Sequence, residues 1–582
     1  MQTPSGRRIA IVGAGPAGTA LALGLLQHGY GVTLVSDKTA EEIRHGAVMS
    51  SQITFESALE IENALGITDL LPPAPSIERM AYRTTRRDGT TTGFSTRLST
   101  PARSLDQRLR VPLLLDAVES LGGKVVVRSA EVADLDDLAS DHDLVVVCTG
   151  RGGLSSLFEV DPVRSPYSSP QRVAALTYLR GVAPDPAGPG LRYASLEGVG
   201  ELFTCPALTV TGPCDIFVVE GVPGGPLDCW DDVGTPAQHL ERLESVLAEH
   251  FVDEWLRLRD GHGLMDEGAL LRGRITPVVR RPVGVLPSGV PVLGMADVVV
   301  LNDPLTSQGS NNAIKSASFY LEAISGHDGR YDRDWMERTF ENFWRGWGQW
   351  ATAWTNSWLQ PAAPHQRQVI DAAAEHPSVA ARIAAGFDDA RLFSPWWFSA
   401  EDAQGFLDEM LAAERARFDP QDLRRALGQY ATGVTVVTTE DTDGNRWGMT
   451  ANSFTAVSLN PPIVLWAASK SSPSMPAFER AERFAVNVLA SDQHHLSRQF
   501  STSGTDKFDG VRLVPRDEVA PYTHPPVLEG AVAHFVCRTT QRVDAGDHVV
   551  FFGEIESYAA PGGQPLVFHS GSYRIATRHP DL

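Results

Sequence analysis

Cysteine is scarce in this chain. Five occur in 582 residues (Cys148, Cys205, Cys214, Cys229 and Cys537), with no C-x-x-C pair among them. That excludes a zinc-type spacing and a disulfide framework, and it fits a reduced, cytoplasmic protein. Long hydrophobic runs are missing as well. No stretch reaches about 18 uninterrupted apolar residues, so no membrane span is expected. The opening MQTPSGRRIAIVGAG leaves too little chain before its first strand for a signal peptide. Positive charge is the minority: 50 Lys and Arg face 71 Asp and Glu, a net charge of −21. Such a chain lacks the cationic face that nucleic acid or an anionic membrane surface requires. Internal repeats, low-complexity tracts and Gly/Ser linkers are also absent, as are the P-loop, H-E-x-x-H and G-x-S-x-G motifs.

What is present reads as a folded chain. Hydrophobic residues make up 42% and charged residues 21%, which excludes a mostly disordered protein. At roughly 100–200 residues per domain, the length allows three or four domain-sized units. Residues 8–150 alternate strand-like and helix-like segments: RRIAIVGAG, PAGTALALGLLQHG, YGVTLVSD and, later, DHDLVVVCTG. That order predicts an α/β, doubly wound parallel sheet. Residues 160–290 carry strand patterns and turns and predict an antiparallel sheet inserted in or appended to the first fold. Residues 291–415 read as helical. Past Asp419-Pro420 the pattern becomes a run of short alternating strands, as in a small β-barrel. The polar, helix-forming connector 401–417 puts the boundary near 415. The expected domains are therefore 1–415 and 416–582.

Three constellations carry chemistry. The first is the loop Gly13-Ala14-Gly15-Pro16-Ala17-Gly18, which follows a strand and opens a helix. In that context Gly13 permits the turn, Gly15 lets the backbone approach a pyrophosphate, and Gly18 allows helix and strand to pack closely. The helix N-terminus adds unpaired N–H groups and a positive dipole end. Asp37, at the end of the next strand, is the candidate ribose ligand. The second is Asp297 with the stretch Asn302-Asp303-Pro304-Leu305-Thr306-Ser307-Gln308-Gly309-Ser310-Asn311-Asn312. An acid at a strand end can accept a hydroxyl from a sugar-alcohol chain, and Gly309 presents backbone N–H groups at a helix start. An ordinary cap and loop fit the same residues equally well. The third lies in the β-rich half. Thr450-Ala451-Asn452-Ser453-Phe454 joins two strands and offers groups for a flat heterocycle. Ser469-Lys470-Ser471-Ser472 offers hydroxyls and a cation for phosphate. Asp547-His548 sits just before an apolar strand.

These residues carry two resemblances. Gly13-x-Gly15-x-x-Gly18 with Asp297, Pro304 and Gly309-x-Asn311 resembles the FAD-dependent monooxygenases of the aromatic-hydroxylase superfamily. The string NDPLTSQGSNNA is most similar to the epoxidase components of styrene and indole monooxygenases. This resemblance covers about 1–410. It implies an FAD-binding Rossmann-like domain, with Arg44, Arg108, Gln308 and their neighbours on the cofactor and His45, Gly46 and Val48 on the substrate side. Ser307 and Gly46 depart from the pattern, standing where a glycine and a polar residue are usual. From Phe418 to about Thr577 the chain resembles the short-chain flavin reductases. That implies a split barrel, usually a homodimer. It also implies isoalloxazine contacts from 450–454, phosphate contacts from Ser469, Ser471 and Ser472, and His548 with Asp547 at the nicotinamide.

Together the resemblances imply a natural fusion. NADH would reduce FAD (or FMN) in the C-terminal domain. Reduced FAD would activate O2 in the N-terminal domain for epoxidation of a small apolar aromatic substrate, a styrene-like aryl alkene or indole. The alternatives are an NADH:FAD reductase that feeds a separate epoxidase partner, a non-catalytic flavin carrier, or a ring hydroxylase reduced directly by NAD(P)H. Six of the twelve tryptophans (Trp335, Trp344, Trp347, Trp350, Trp354, Trp358) lie within residues 335–358. Their spacing from Trp344 on predicts one helix face, read as a core stripe in preference to a substrate surface.

Overall fold

The computed structural model describes residues 6–50, 52–150, 152–415, 420–502, 506–515 and 525–577. The end of the predicted connector, 416–417, and Phe418, where the second resemblance begins, lie outside the described residues. The chain divides into two compact units, Met1–Glu414 and Arg415–Leu582. No helix among the described residues is long and apolar enough to cross a membrane.

The first unit is built on a six-stranded sheet. Its order is Val283–Val285, Pro291–Gly294, Leu144–Val147, Arg8–Val12, Gly31–Ser36 and Lys124–Val127, parallel throughout except for the first pair. The central strands are apolar on both faces, and Leu144–Val147 is buried at every position. Such strands are stable only with a layer on each side, which the crossover helices provide. The helix Pro16–Gln27 is one of them. It starts on a proline, whose missing N–H costs nothing at that position.

A second, eight-stranded sheet covers residues 173–274 and also recruits Ser76–Thr85 and Thr91–Arg103. Those two strands lie inside the stretch expected to alternate with helices. Their half-buried pattern, with Ile77, Met80 and Tyr82 inward, is obscured in sequence by the charged residues between. Ser76–Thr85 joins Gly190–Leu196 in parallel, and the other ladders are antiparallel. The two faces follow the period of two. In Gly212–Gly221, Phe217 and Val219 pack under the helix Pro236–His250, while Ile216 and Val218 join the main core. That main core is one continuous cluster running from Ile9 to Leu407. Residues 1–414 therefore form one body, not the two or three domains their length allows.

The helical tail comprises Gly309–Ser325, Arg333–Phe343, Gln349–Trp358, Pro364–Glu375, Pro377–Asp388 and Ala400–Arg415. A π-helical turn, Trp344–Gly348, interrupts the tryptophan-rich stretch and shifts its register. All six tryptophans nevertheless lie in or against the main core, as a core stripe would. Trp335, Trp347 and Trp354 are buried, and Trp344, Trp350 and Trp358 only partly so. Trp354 stacks 4.6 Å from Phe393, and Trp358 stacks 5.8 Å from Trp397.

The second unit is a seven-stranded antiparallel sheet. Its order is Arg446–Ala451, Thr435–Glu440, Arg483–Val488, Ala533–Ala545, His548–Ala559, Pro462–Ser469 and Thr455–Leu459. Met449 near one edge and Trp466 near the other share one core with Phe484 and Phe551. The sheet thus curls round its own side chains, with Trp466 stacked 4.8 Å from Phe551. A small three-stranded sheet, Thr432–Gly433, Leu566–His569 and Ser572–Ile575, completes the unit.

Candidate functional sites

The Gly13–Gly18 loop lies at the C-terminal end of Arg8–Val12, where open α/β sheets place their ligands. The three glycines have three separate steric reasons. Gly13 has φ +119°, and a Cβ there would stand 2.8 Å from the Cys148 carbonyl oxygen. A Cβ on Gly18 would stand 1.9 Å from the Gly13 oxygen. A Cβ on Gly15 would meet nothing within 4 Å. The first two glycines let the chain close on itself, and the third keeps an open cradle beside a helix start. No side chain caps that helix, so its N-terminal dipole and the N–H groups of Ala17 and Gly18 are set for a phosphate. Asp37 is exposed just beyond Gly31–Ser36.

Asp297 stands in the turn Ala296–Val298 that follows Pro291–Gly294. A Cβ on Gly150 would lie 3.8 Å from its Oδ2. Gly150 and Cys148 belong to one short loop, which also packs on Gly13. Asp297 and the glycine loop therefore converge at the same end of the sheet. An extended dinucleotide could reach both.

Several predicted ligands are already engaged as braces. Arg108 is 2% exposed. Its Nε donates to Asp106, one terminal nitrogen to the Gly46 carbonyl and Asp266, and the other to Thr209 and Asp266, at 2.8–3.1 Å. All five N–H groups are spent. Within the protein Arg108 acts as a brace that pins the segment carrying His45, Gly46 and Val48. Val48 is buried and donates its N–H to Gly268. Arg44 and His45 are turned to Glu41 on the surface. Asn311 is likewise used up. Its amide donates to Ile53 and Ser307, and its oxygen accepts from the Phe55 N–H. Its side chain holds the chain at 53–55.

What the loop offers a flat ring is mostly backbone. Gly309 is exposed at the start of Gly309–Ser325, with open space where a Cβ would be. Gln308 donates to the Thr306 and Phe387 carbonyls and keeps one buried oxygen with no partner. Ser307 takes the left-handed conformation, φ +56°. This is the conformation a glycine would adopt freely, at a cost of about 1 kcal/mol for another residue. Pro304 is half-buried between Asp303 and Leu305. Sequence motifs missed the supports. Thr352 donates to Asn302 at 3.0 Å, and Thr306 and Thr355 share a hydrogen bond of 2.6 Å. Both threonines belong to Gln349–Trp358, so the tryptophan-rich helix backs the loop.

In the second unit, the Thr450 hydroxyl donates to the Ser497 carbonyl, and the Ser453 hydroxyl bridges both backbone groups of Ala467. These hydroxyls brace the turn, in which Asn452 is exposed and Phe454 is partly buried against the core. Phe454 lies 5.7 Å from Phe535. The serine run and the acid–histidine pair come together. Ser469 is the cross-strand partner of His548, and the Lys470 N–H donates to the Asp547 carbonyl. Ser469 and Ser471 share a hydrogen bond, and the Ser472 hydroxyl accepts from the Ser474 N–H. Asp547 takes Nδ1 of His548 at 2.8 Å, a contact that holds the Asp547 carboxyl below its usual range. This leaves Nε2 as the second ring position of His548, which is 44% exposed.

The first unit thus combines a dinucleotide-type fold with an open glycine cradle, and the second a curled β-sheet that brings a histidine beside a serine turn. Comparison with known proteins agrees. Residues 7–146 match the model of an FAD binding domain, and residues 150–257 match a "Styrene monooxygenase A putative substrate binding domain". Residues 427–577 match the model of a flavin reductase like domain. The chain is 29% identical over 357 residues to "Styrene monooxygenase StyA" of Pseudomonas fluorescens, covering 60% of this chain and 84% of that one. It is 44% identical over 153 residues to "FMN reductase (NADH) SmoA" of Agrobacterium fabrum, covering 26% and 84%. It is 40% identical over 166 residues to a "Flavin reductase" of Pseudomonas putida, covering 28% and 95%. The chain belongs to the flavin reductase family through its C-terminal unit, and its N-terminal unit is similar to styrene monooxygenase and matches the model of an FAD binding domain.

Two outcomes follow from the cradle and its helix. Gly15→Ala should leave the melting temperature of the flavin-free protein unchanged and weaken FAD binding, whereas Gly18→Ala should destabilise the flavin-free protein by about 1–3 kcal/mol. Thermal melts and flavin titration separate the two. Lys315, on the Gly309 helix, lies 3.2 Å above the Trp347 ring and donates to the Asp388 carbonyl. Burial pushes its pKa down to about 7, opposed by Asp388 and Asp389. Between that value and the ordinary lysine range the folded state binds fewer protons than the unfolded one, so stability should rise with pH across this window. Lys315→Met should flatten that rise in pH-dependent melts.

Proposed function

We propose that the chain is self-sufficient, taking electrons from NADH in the C-terminal unit and inserting oxygen into a small apolar aromatic alkene or indole in the N-terminal unit. One observation carries this reading: a styrene monooxygenase-like FAD unit and a flavin reductase unit are parts of one polypeptide. Support for NADH comes from the relative named as an NADH-dependent FMN reductase. Bound FAD supplies hydride acceptance and the activation of dioxygen. The residues do the rest. The open cradle at Gly15 and the helix start behind it hold the pyrophosphate, Asp37 the ribose and Asp297 a chain hydroxyl. Gly309 faces the ring, and the buried Gln308 braces the loop that carries it. Val48, held by the Arg108 clamp, gives the substrate side an apolar wall that excludes water. In the C-terminal unit, Ser469, Ser471 and Ser472 hold phosphate, and the turn 450–454 lies on the flavin ring. His548, with Asp547 on Nδ1, directs Nε2 to the nicotinamide. We also expect the reductase unit to pair as a homodimer.

Tethering gives the fusion its physical advantage. Reduced flavin free in water is lost to oxygen. A covalently attached acceptor site has an effective concentration of about the mM range. A second reading, in which the chain chiefly feeds reduced FAD to a separate epoxidase, draws on Gly46 and Ser307. Ser307 already adopts the glycine-like conformation, which weakens that motive.

The test is product analysis with styrene and with indole, using NADH, catalytic FAD and no other protein. Styrene oxide or blue pigment is expected. NADH oxidation with no product, restored by adding a separate epoxidase, would favour the second reading. His548→Ala should slow NADH oxidation about tenfold, the equivalent of one lost hydrogen bond. Oxygenation by that variant should persist when FAD is reduced chemically.

A further inference from the structure

Two carboxyl groups that the reading above does not use lie directly behind the 302–308 loop. Glu220 is fully buried and Asp303 is 1% exposed. The period of two along Gly212–Gly221 turns Glu220 to the same face as Ile216 and Val218, into the main core. Neither of its oxygens meets an N–H or O–H donor among the described residues, and Asp303 Oδ2 meets none either. The two carboxyls instead face each other at hydrogen-bonding range. Asp303 Oδ1 caps the turn Pro304–Thr306 by accepting the Leu305 N–H at 3.1 Å, which fixes its position one residue from Pro304. Two bare carboxylates in an apolar core would repel, and each would lack its hydration. A contact of this kind is favourable only with a proton between them.

Their surroundings lead outward. Glu201 is the direct cross-strand partner of Glu220. It is held by Arg172 through two hydrogen bonds of 2.8 and 3.0 Å. That ion pair lines a cavity of about 390 Å³ whose other walls include exposed Arg87, Gly198 and Gln360. The hydroxyl of Tyr193, another charge-coupled neighbour of Glu220, is buried without a partner. The groups facing the pair are thus Arg172, Glu201 and Tyr193. Arg172 hydrogen-bonds Glu201 and not Glu220, so its charge reaches the pair only at longer range and is outweighed there. Burial and Asp303 hold the Glu220 carboxyl far above the usual carboxylate range.

We propose that Glu220 and Asp303 form a proton-carrying pair that links the Arg172–Glu201 cavity to the cofactor-side loop. The chemical need is stoichiometric. Substrate, O2, NADH and one proton give oxygenated substrate, water and NAD+. Each turnover draws one proton from solvent into a site that must otherwise stay dry. The pair passes its shared proton from Asp303 toward the Pro304 side, where the reduced oxygen takes it up as water forms, and Glu220 is recharged by way of its cross-strand neighbour Glu201 on the cavity wall. The relay role rests on the monooxygenase reading, but the existence of the pair does not.

The experiment uses the full-length oxidised protein. Infrared spectroscopy at pH 8 should show the carbonyl stretch of a protonated carboxylic acid, shifted in D2O and absent in Glu220→Gln. If the wild-type protein has no such band, or the variant keeps it, the pair is overturned whatever the enzyme's activity. In the second arm, protein carrying chemically reduced FAD is mixed with oxygen and styrene across pH 6.5–8.5. Wild-type product formation should be nearly flat, whereas Glu220→Gln should fall toward tenfold per pH unit. Parallel profiles would overturn the relay. A wild-type protein that makes no product would overturn the monooxygenase reading, and the infrared result would still decide the pair.

Discussion

The N-terminal site depends on one buried guanidinium. Arg108 ties the segment at Gly46 to Asp106, to Thr209 at the end of a second-sheet strand and to the Asp266 turn. Without it, two buried or half-buried acids would lose their cation, and breaking such a pair typically costs about 3–5 kcal/mol. The clamp adds a polar knot between the second sheet and the segment at Gly46, beside the apolar packing of the main core.

A division of labour recurs in both units. Polar side chains that look like ligands in sequence are consumed in holding backbone, and the open positions lie elsewhere in the same loops. Asn311 fixes residues 53–55, Ser453 fixes Ala467 and Thr450 fixes Ser497. The open positions are Gly15, Gly309 and Asn452. Flat cofactors with mixed donor and acceptor edges suit such a surface, because backbone groups are rigid and present both kinds of partner.

Buried charge is handled in three ways. Arg172 and Glu201 neutralise each other, Lys315 rests on an aromatic face and a carbonyl, and Glu220 with Asp303 shares a proton. In each case an unpaired charge would be too costly in the core. The three arrangements leave different titration behaviour at nearly the same depth.

Much of the plan was legible in the residues themselves. The glycine loop, the apolar strand runs and the change to short alternating strands are local features, set by backbone sterics and by periods of two and 3.6, so the chain alone determined them. The second sheet's recruitment of Ser76–Arg103, the π-helical turn under the tryptophans and the bracing roles of Arg108 and Asn311 were not. Nor was the meeting of Glu220 with Asp303. Each depends on which distant segments are brought within a few ångströms. A side chain's role as ligand or brace is decided only when its hydrogen bonds are counted in three dimensions, and only the tertiary structure supplies that count.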